Sequence, residues 1–174
     1  ILLAFMQLRK QNFEGTKNLL LSQNVEILEP KLWDIDSPYL YRAISVLLKD
    51  DKIIDSYETS FGIRTIEFSA DKGFLLNGKK LKLKGVCLHH DLGPLGTAVN
   101  YRATERQLQI MKEMGANAIR TSHNPPSPEQ LELCDKLGLL VQVEAFDSWK
   151  EGKTENGYSN VWDEWFERDL RDLI

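Results

Sequence analysis

From Phe74 onward the chain alternates short apolar runs with helical patterns that carry their own start and stop signals, and this alternation restricts the fold more than any other feature. Apolar runs at 83–88, 116–121 and 139–143 read as strands. Strands connected through helices pair in parallel, so the region is a series of βα units. Thr104 with Gln107 predicts a capping box opening a helix whose Leu108, Met111 and Met114 share one face, and Gly115 stands at the left-handed position after it. Ser127 with Gln130 repeats the device, Pro128 takes the first helical position, and Gly138 ends the second helix. A third helix is expected over residues 162–173. Three such units are the first part of a (β/α)8 TIM barrel, whose other five would lie beyond Ile174.

Each of these strands runs into residues capable of chemistry. The first is followed by His89-His90-Asp91. The second carries Arg120 and runs into Ser122-His123-Asn124-Pro125-Pro126, and the third into Glu144-Ala145-Phe146-Asp147-Ser148-Trp149. All three histidines of the chain are in this set. In a barrel of this kind the carboxyl ends of the strands build the site, and the opposite ends serve stability.

Residues 1–68 read differently, as part of an antiparallel β-sandwich. Runs at 25–28, 41–48 and 53–61 are strand-like, and Lys49-Asp50-Asp51-Lys52 joins two of them as a hairpin. These strands are too few to close a sandwich, so further ones are expected upstream. Asn77-Gly78 is the strongest hairpin signal and marks the change of rhythm, giving expected domains of 1–68 and 69–174. Trp33, Tyr39 and Tyr41 are expected to pack inside the sandwich, and Trp162 and Trp165, at helical spacing, inside the barrel layer.

Composition removes several classes of function. A net charge of -4 arises from dispersed acids and bases, which leaves no basic stripe for nucleic acid. No apolar run approaches the roughly 20 residues of a membrane span. The segment at residues 1–5 is too short for a signal peptide, lacks a basic flank, and reads as a strand remnant. Cys87 and Cys134 fit small buried hydrophobes better than a disulfide framework, and no CxxC or HxxxH spacing suggests structural zinc. The compartment stays open between cytoplasm and periplasm or exterior.

The order Gly85-Val86-Cys87-Leu88-His89-His90-Asp91, then 115–126 ending in Arg120-Thr121-Ser122-His123-Asn124-Pro125-Pro126, then Glu144-Ala145-Phe146-Asp147, resembles glycoside hydrolase family 2 and its β-galactosidases most. Pro30-Lys31-Leu32-Trp33, Ser37-Pro38-Tyr39-Leu40-Tyr41 and Phe61-Gly62-Ile63-Arg64 resemble the immunoglobulin-like domain that precedes the barrel in that family. Where related sequences usually read Asp-Glu-Ala after the third strand, Val143 here precedes Glu144-Ala145.

The resemblance implies a retaining hydrolase that removes terminal β-linked sugars, β-galactosides before β-glucuronides or β-mannosides. One glutamate acts as acid/base and another as nucleophile, about 5–5.5 Å apart. In the family these follow the fourth and seventh strands, the first of them after an Asn. The chain contains no Asn-Glu dipeptide, so no catalytic residue is expected within it, and the isolated 174 residues are expected to be inert. The resemblance assigns His89 and His123 to the sugar pocket, with Asp91 and Asn124 as further candidate contacts, and Trp149, in the loop after the third strand, is the candidate for stacking on the sugar. Arg120, Glu144 and Asp147 are expected to support them. No cofactor or metal is expected within these residues, although a divalent or monovalent cation is an expectation for the full-length protein. A carbohydrate is the expected partner, with a homo-oligomer possible for the parent.

Two other classes compete. His89, His90 and His123 with Asp91 or Glu144 could hold a divalent ion in a metal-dependent hydrolase. Against this, adjacent histidines on an extended segment point to opposite sides. A non-enzymatic carbohydrate-binding module is the other, and its open three-stranded sheet would leave an unpaired edge and an uncovered face.

Overall fold

Asp50 and Asp51 both adopt positive φ (50° and 60°), the conformation a two-residue hairpin turn needs to match the twist of its strands. They join β1 (Tyr41–Lys49) to β2 (Lys52–Phe61) in an antiparallel pair. The computed structural model describes residues 22 and 24–174. The strand remnant expected at residues 1–5 lies outside them. The run at 25–28 forms no strand among the described residues.

Asn77 and Gly78, with φ of 51° and 74°, make the second hairpin as expected. It links β4 (Gly73–Leu76) to the short β5 (Lys79–Lys80), and β3 (Ile66–Ser69) pairs on the other side of β4. The Asn77 side chain also donates to the Trp33 carbonyl (3.0 Å) and accepts from the Thr65 amide (3.0 Å), which fixes this hairpin to the segment before β1.

The βα region is a parallel sheet in the order β6 (Gly85–His89), β7 (Ala118–Ser122), β8 (Leu140–Gln142). Helices α1 (Tyr101–Glu113) and α2 (Pro128–Leu137) are its crossovers, and α3 (Trp162–Leu173) follows β8. Leu108, Leu133 and Cys134 from the helices bury against Ile119 and Leu139, with Val86, Leu88 and Val141 packed alongside. Because side chains alternate along a strand, Cys87, Arg120 and Gln142 fall on the other face. Cys134 is buried as expected, whereas Cys87 is exposed, and this alternation is the reason.

The helix signals hold in part. Ser127 caps α2 by accepting from the Gln130 amide, and Gly138 ends it in the left-handed conformation. Gly115 closes α1 at φ 96°, with its own amide bonded to Lys112 and that of Ala116 to Met111, a Schellman arrangement. The start of α1 differs from the capping box expected at Thr104. Asn100 is the cap, accepting from the Ala103 amide (3.0 Å), and the Thr104 hydroxyl donates to the Asn100 carbonyl (3.0 Å). Asparagine is among the strongest capping residues, so the helix begins one turn earlier, and Gln107 turns instead to the Asp91 carbonyl.

Two aromatic expectations are corrected. Tyr39, Tyr41 and Phe61 do pack ring on ring, but Trp33 turns toward the barrel strands. Fully buried, it packs with Leu76 and Leu140 and donates from Nε1 to the Asp135 carbonyl in α2 (2.8 Å). Trp162 and Trp165 are only half-buried, because among the described residues α3 has no buried position and lies against the loop before it. No helix of the described residues is long and apolar enough to cross a membrane.

Gly138 shows how tightly the segment before β1 is held. A Cβ there would drive into the Ile35 carbonyl oxygen, and Lys112 Nζ donates to both Ile35 O (2.6 Å) and Gly138 O (2.9 Å). Gly73 has a similar φ of 77° but open space around it. Gly73→Ala should therefore cost about 1 kcal/mol, the left-handed penalty alone, and Gly138→Ala clearly more. Thermal unfolding of the two variants in the parent protein checks this, and equal losses would show that the close approach is unimportant.

Candidate functional site

The parallel register sets Cys87 beside Arg120, Arg120 beside Gln142, and His89 beside Ser122. The open face of the sheet therefore carries polar groups at its carboxyl end. Arg120 reaches Glu144, pairing Nε with Oε1, and places Nη1 3.5 Å from Cys87 Sγ. His123 follows a cis peptide bond after Ser122, and its Nδ1 lies 2.7 Å from Glu144 Oε2 and 3.2 Å from Arg120 Nη2. The Glu144 amide bonds to Thr121 Oγ1 (3.0 Å), which anchors the carboxylate's own backbone to the neighbouring strand.

Burial alone would raise the Glu144 pKa, but bonds from His123 and Arg120 outweigh it and hold the carboxyl below its ordinary range. The hydrogen bond to Cys87, then that to Glu144, keeps Arg120 further on the charged side. The same guanidinium draws the Cys87 thiol below its usual value. Both Glu144 oxygens are committed to partners, so this carboxylate serves better as a support than as a nucleophile.

Arg120, His123, Glu144, Phe146, Trp149 and Lys153 are among the residues lining an open concavity of about 420 Å³. Trp149 is 69% exposed, yet its indole stacks at 14° on Trp162 (5.8 Å between centroids), which stacks in turn on Phe166 (5.1 Å). Sequence reading singled out Trp149, but the part played by Trp162 in backing it has no signal beyond helical spacing. Asp147 sits at the same rim and pairs with Lys153 (3.1 Å).

The strand-one residues divide. The His89 ring meets His123 edge-on at 5.6 Å, although His89 itself lines a second, adjoining concavity with His90 and Asp91. His90 points away and bonds through Nε2 to the Thr97 carbonyl (3.0 Å), as alternation on an extended segment requires. The Asp91 carboxylate accepts from the Gly93 amide (2.7 Å) and so shapes its own loop. Asn124 is exposed in the turn after β7. Among the described residues, no three His, Cys, Asp or Glu side chains converge as a metal site would need, and the His89, His90 and His123 set is not assembled.

The family pattern of glycosyl hydrolases family 2 matches residues 6–64, and that of its TIM barrel domain matches residues 68–165. The chain belongs to glycosyl hydrolase family 2. Among its family 2 relatives, a β-galactosidase of Bacteroides ovatus is 52% identical over 161 residues, covering 92% of this chain and 19% of that protein. A putative β-glucuronidase of Formosa agariphila is 42% identical, covering 88% and 15%. The crystal structure of a family 2 member from Bacteroides cellulosilyticus superposes with a TM-score of 0.81 at 50% identity, over 84% of this chain and 19% of that one. The chain thus spans 15–19% of the length of these relatives. The fold is that of the family: part of its immunoglobulin-like domain followed by the start of its barrel.

The Glu144 network has a pH signature. A carboxyl held below its unfolded value adds stability that is present above the unfolded pKa and lost as pH falls through the folded one. Glu144→Gln should therefore lower stability at neutral pH, with the deficit shrinking as the solution is acidified below the ordinary carboxylate range. Unfolding of both proteins across pH measures it, and a deficit independent of pH would refute the ionic account.

Proposed function

We propose that these residues form the opening part of the catalytic barrel of an exo-acting retaining glycosidase, together with the end of the domain before it, divided near residue 68. The substrate is a terminal β-linked sugar, a β-galactoside first. What carries the reading is the convergence of His89, His123, Arg120 and Glu144 at the carboxyl ends of parallel strands, with an exposed indole at the rim. The preference for galactoside rests on the higher identity to the β-galactosidase than to the putative β-glucuronidase.

In this reading His89 and His123 meet the hydroxyls of the sugar, bonds that accelerate reaction where they strengthen in the transition state. Trp149, braced by Trp162, offers its ring to the apolar face of a sugar. Arg120 and Glu144 hold His123 in place, and Asp147 with Lys153 borders the pocket. Asp91 acts through the shape of its loop, and Asn124 presents an amide at the mouth. Acid/base and nucleophile are glutamates outside this chain. A divalent or monovalent cation belongs to this reading only for the full-length enzyme.

Assays of the full-length parent on chromogenic β-galactoside, β-glucuronide and β-mannoside test this. The galactoside should be cleaved fastest, and the 174-residue chain alone should cleave none. His123→Ala should lower kcat/KM about 10²-fold without loss of folded structure by circular dichroism. Trp149→Ala should raise KM roughly five- to tenfold with kcat nearly unchanged, as loss of about 1 kcal/mol of stacking requires. A parent inactive on all three glycosides would end the proposal.

A further inference from the structure

His123 has one nitrogen tied to the protein and one left for a ligand. Nδ1 lies 2.7 Å from Glu144 Oε2 and 3.2 Å from Arg120 Nη2, and a single nitrogen cannot serve both. With a proton it donates to the carboxylate. Without one it accepts from the guanidinium. The shorter contact has the length of a charge-assisted N–H···O bond. A bare nitrogen at that distance would set its lone pair against an anion. A protonated one leaves Arg120 with the partners it already holds, Glu144 Oε1 and Cys87 Sγ. The neutral ring is therefore protonated at Nδ1.

The consequence lies on the opposite edge of the ring. Nε2 has no hydrogen-bond partner among the described residues, and His123 lines the concavity. The edge-on His89 ring, 5.6 Å away, packs against the imidazole and steadies its plane. An imidazole with its proton fixed at Nδ1 offers only a lone pair from Nε2.

We propose that Glu144 is a positioning residue that fixes the Nδ1–H tautomer of His123, so that Nε2 meets the bound sugar as a hydrogen-bond acceptor and selects a hydroxyl that donates to it. This rests on the glycosidase reading above and adds a polarity to it. Arg120 takes part by holding the other Glu144 oxygen, so that Oε2 stays directed at the ring. An acceptor at this point distinguishes a hydroxyl from an ether, a ketone or a fluorine at the same sugar carbon, because none of these can donate.

The test uses the full-length parent and whichever chromogenic glycoside it cleaves, with each sugar hydroxyl replaced in turn by hydrogen and by fluorine. Comparing wild type with His123→Ala on the same substrate cancels the change in intrinsic reactivity. At one hydroxyl, both replacements should erase the wild type's advantage of about 10²-fold, since fluorine accepts but cannot donate. Glu144→Gln should lose most of that advantage on the unmodified substrate, and Glu144→Asp should recover part of it. A fluoro substrate that keeps the advantage would make Nε2 a donor and overturn the proposal, as would the absence of coupling at every hydroxyl.

A parent that cleaves no glycoside would sink the glycosidase reading, and a substrate-free measurement then decides the role of Glu144. Ring ¹⁵N shifts of the histidine-labelled parent, with His123 identified by its loss in His123→Ala, should show a protonated Nδ1 and a bare Nε2 in wild type. The reverse pattern, or one unchanged in Glu144→Gln, would overturn it.

Discussion

Asn117 sets the level of the three parallel strands, and the site depends on that level. Its side chain accepts from the Lys84 amide (2.8 Å) and donates to the Lys82 carbonyl (3.0 Å), while its own backbone bonds to Lys84 O and the Leu140 amide. One buried residue thus ties the start of β6 and the start of β8 to that of β7, with its side-chain amide and both backbone groups bonded. A slip of one residue would turn every side chain to the other face of the sheet. Arg120 would then point into the helices, where a guanidinium has no partner. The cost of burying it unpaired makes the register exacting.

The two ends of the sheet have opposite characters for the same geometric reason. On the open face, Ala118 and Leu140 near the start of the strands are covered by Trp33 and Leu76, which seal that end with apolar surface. Two residues further along, the same face carries Arg120 and Gln142, for which no apolar cover would be tolerable. Stability gathers where Trp33, Lys112 and Gly138 lock the segment before β1 against both helices. Polar chemistry gathers at the other end, as the barrel architecture requires.

The charges at that polar end hold one another in place. Glu144 is shared between a permanent cation and a histidine, and Arg120 between a carboxylate and a thiol. No member is free to turn without leaving a partner unsatisfied in a half-buried setting. Such closure restricts the orientation of the His123 ring. Trp149 is held differently, its exposed indole supported from behind by Trp162, which stacks in turn on Phe166.

Much of this was legible in the residues. Asn77-Gly78, Ser127 with Pro128, and Gly138 name their turns and caps because each satisfies backbone groups within a few residues of itself, and the βα rhythm announces a parallel sheet. Local signals also misled where two candidates competed, as at Asn100 and Thr104, since only the folded helix decides which oxygen meets a free amide. Sequence could place His89, His123, Arg120 and Glu144 at strand ends, yet not show that Glu144 holds both Arg120 and His123. Nor could it show that Trp33 belongs against α2, that Cys87 is exposed, or that Trp162 lies behind Trp149. Those relations join residues distant along the chain, and no local spacing encodes them. They were decided by strand register and helix packing, which alone set the distances across which a hydrogen bond, an ion pair or a ring contact can form.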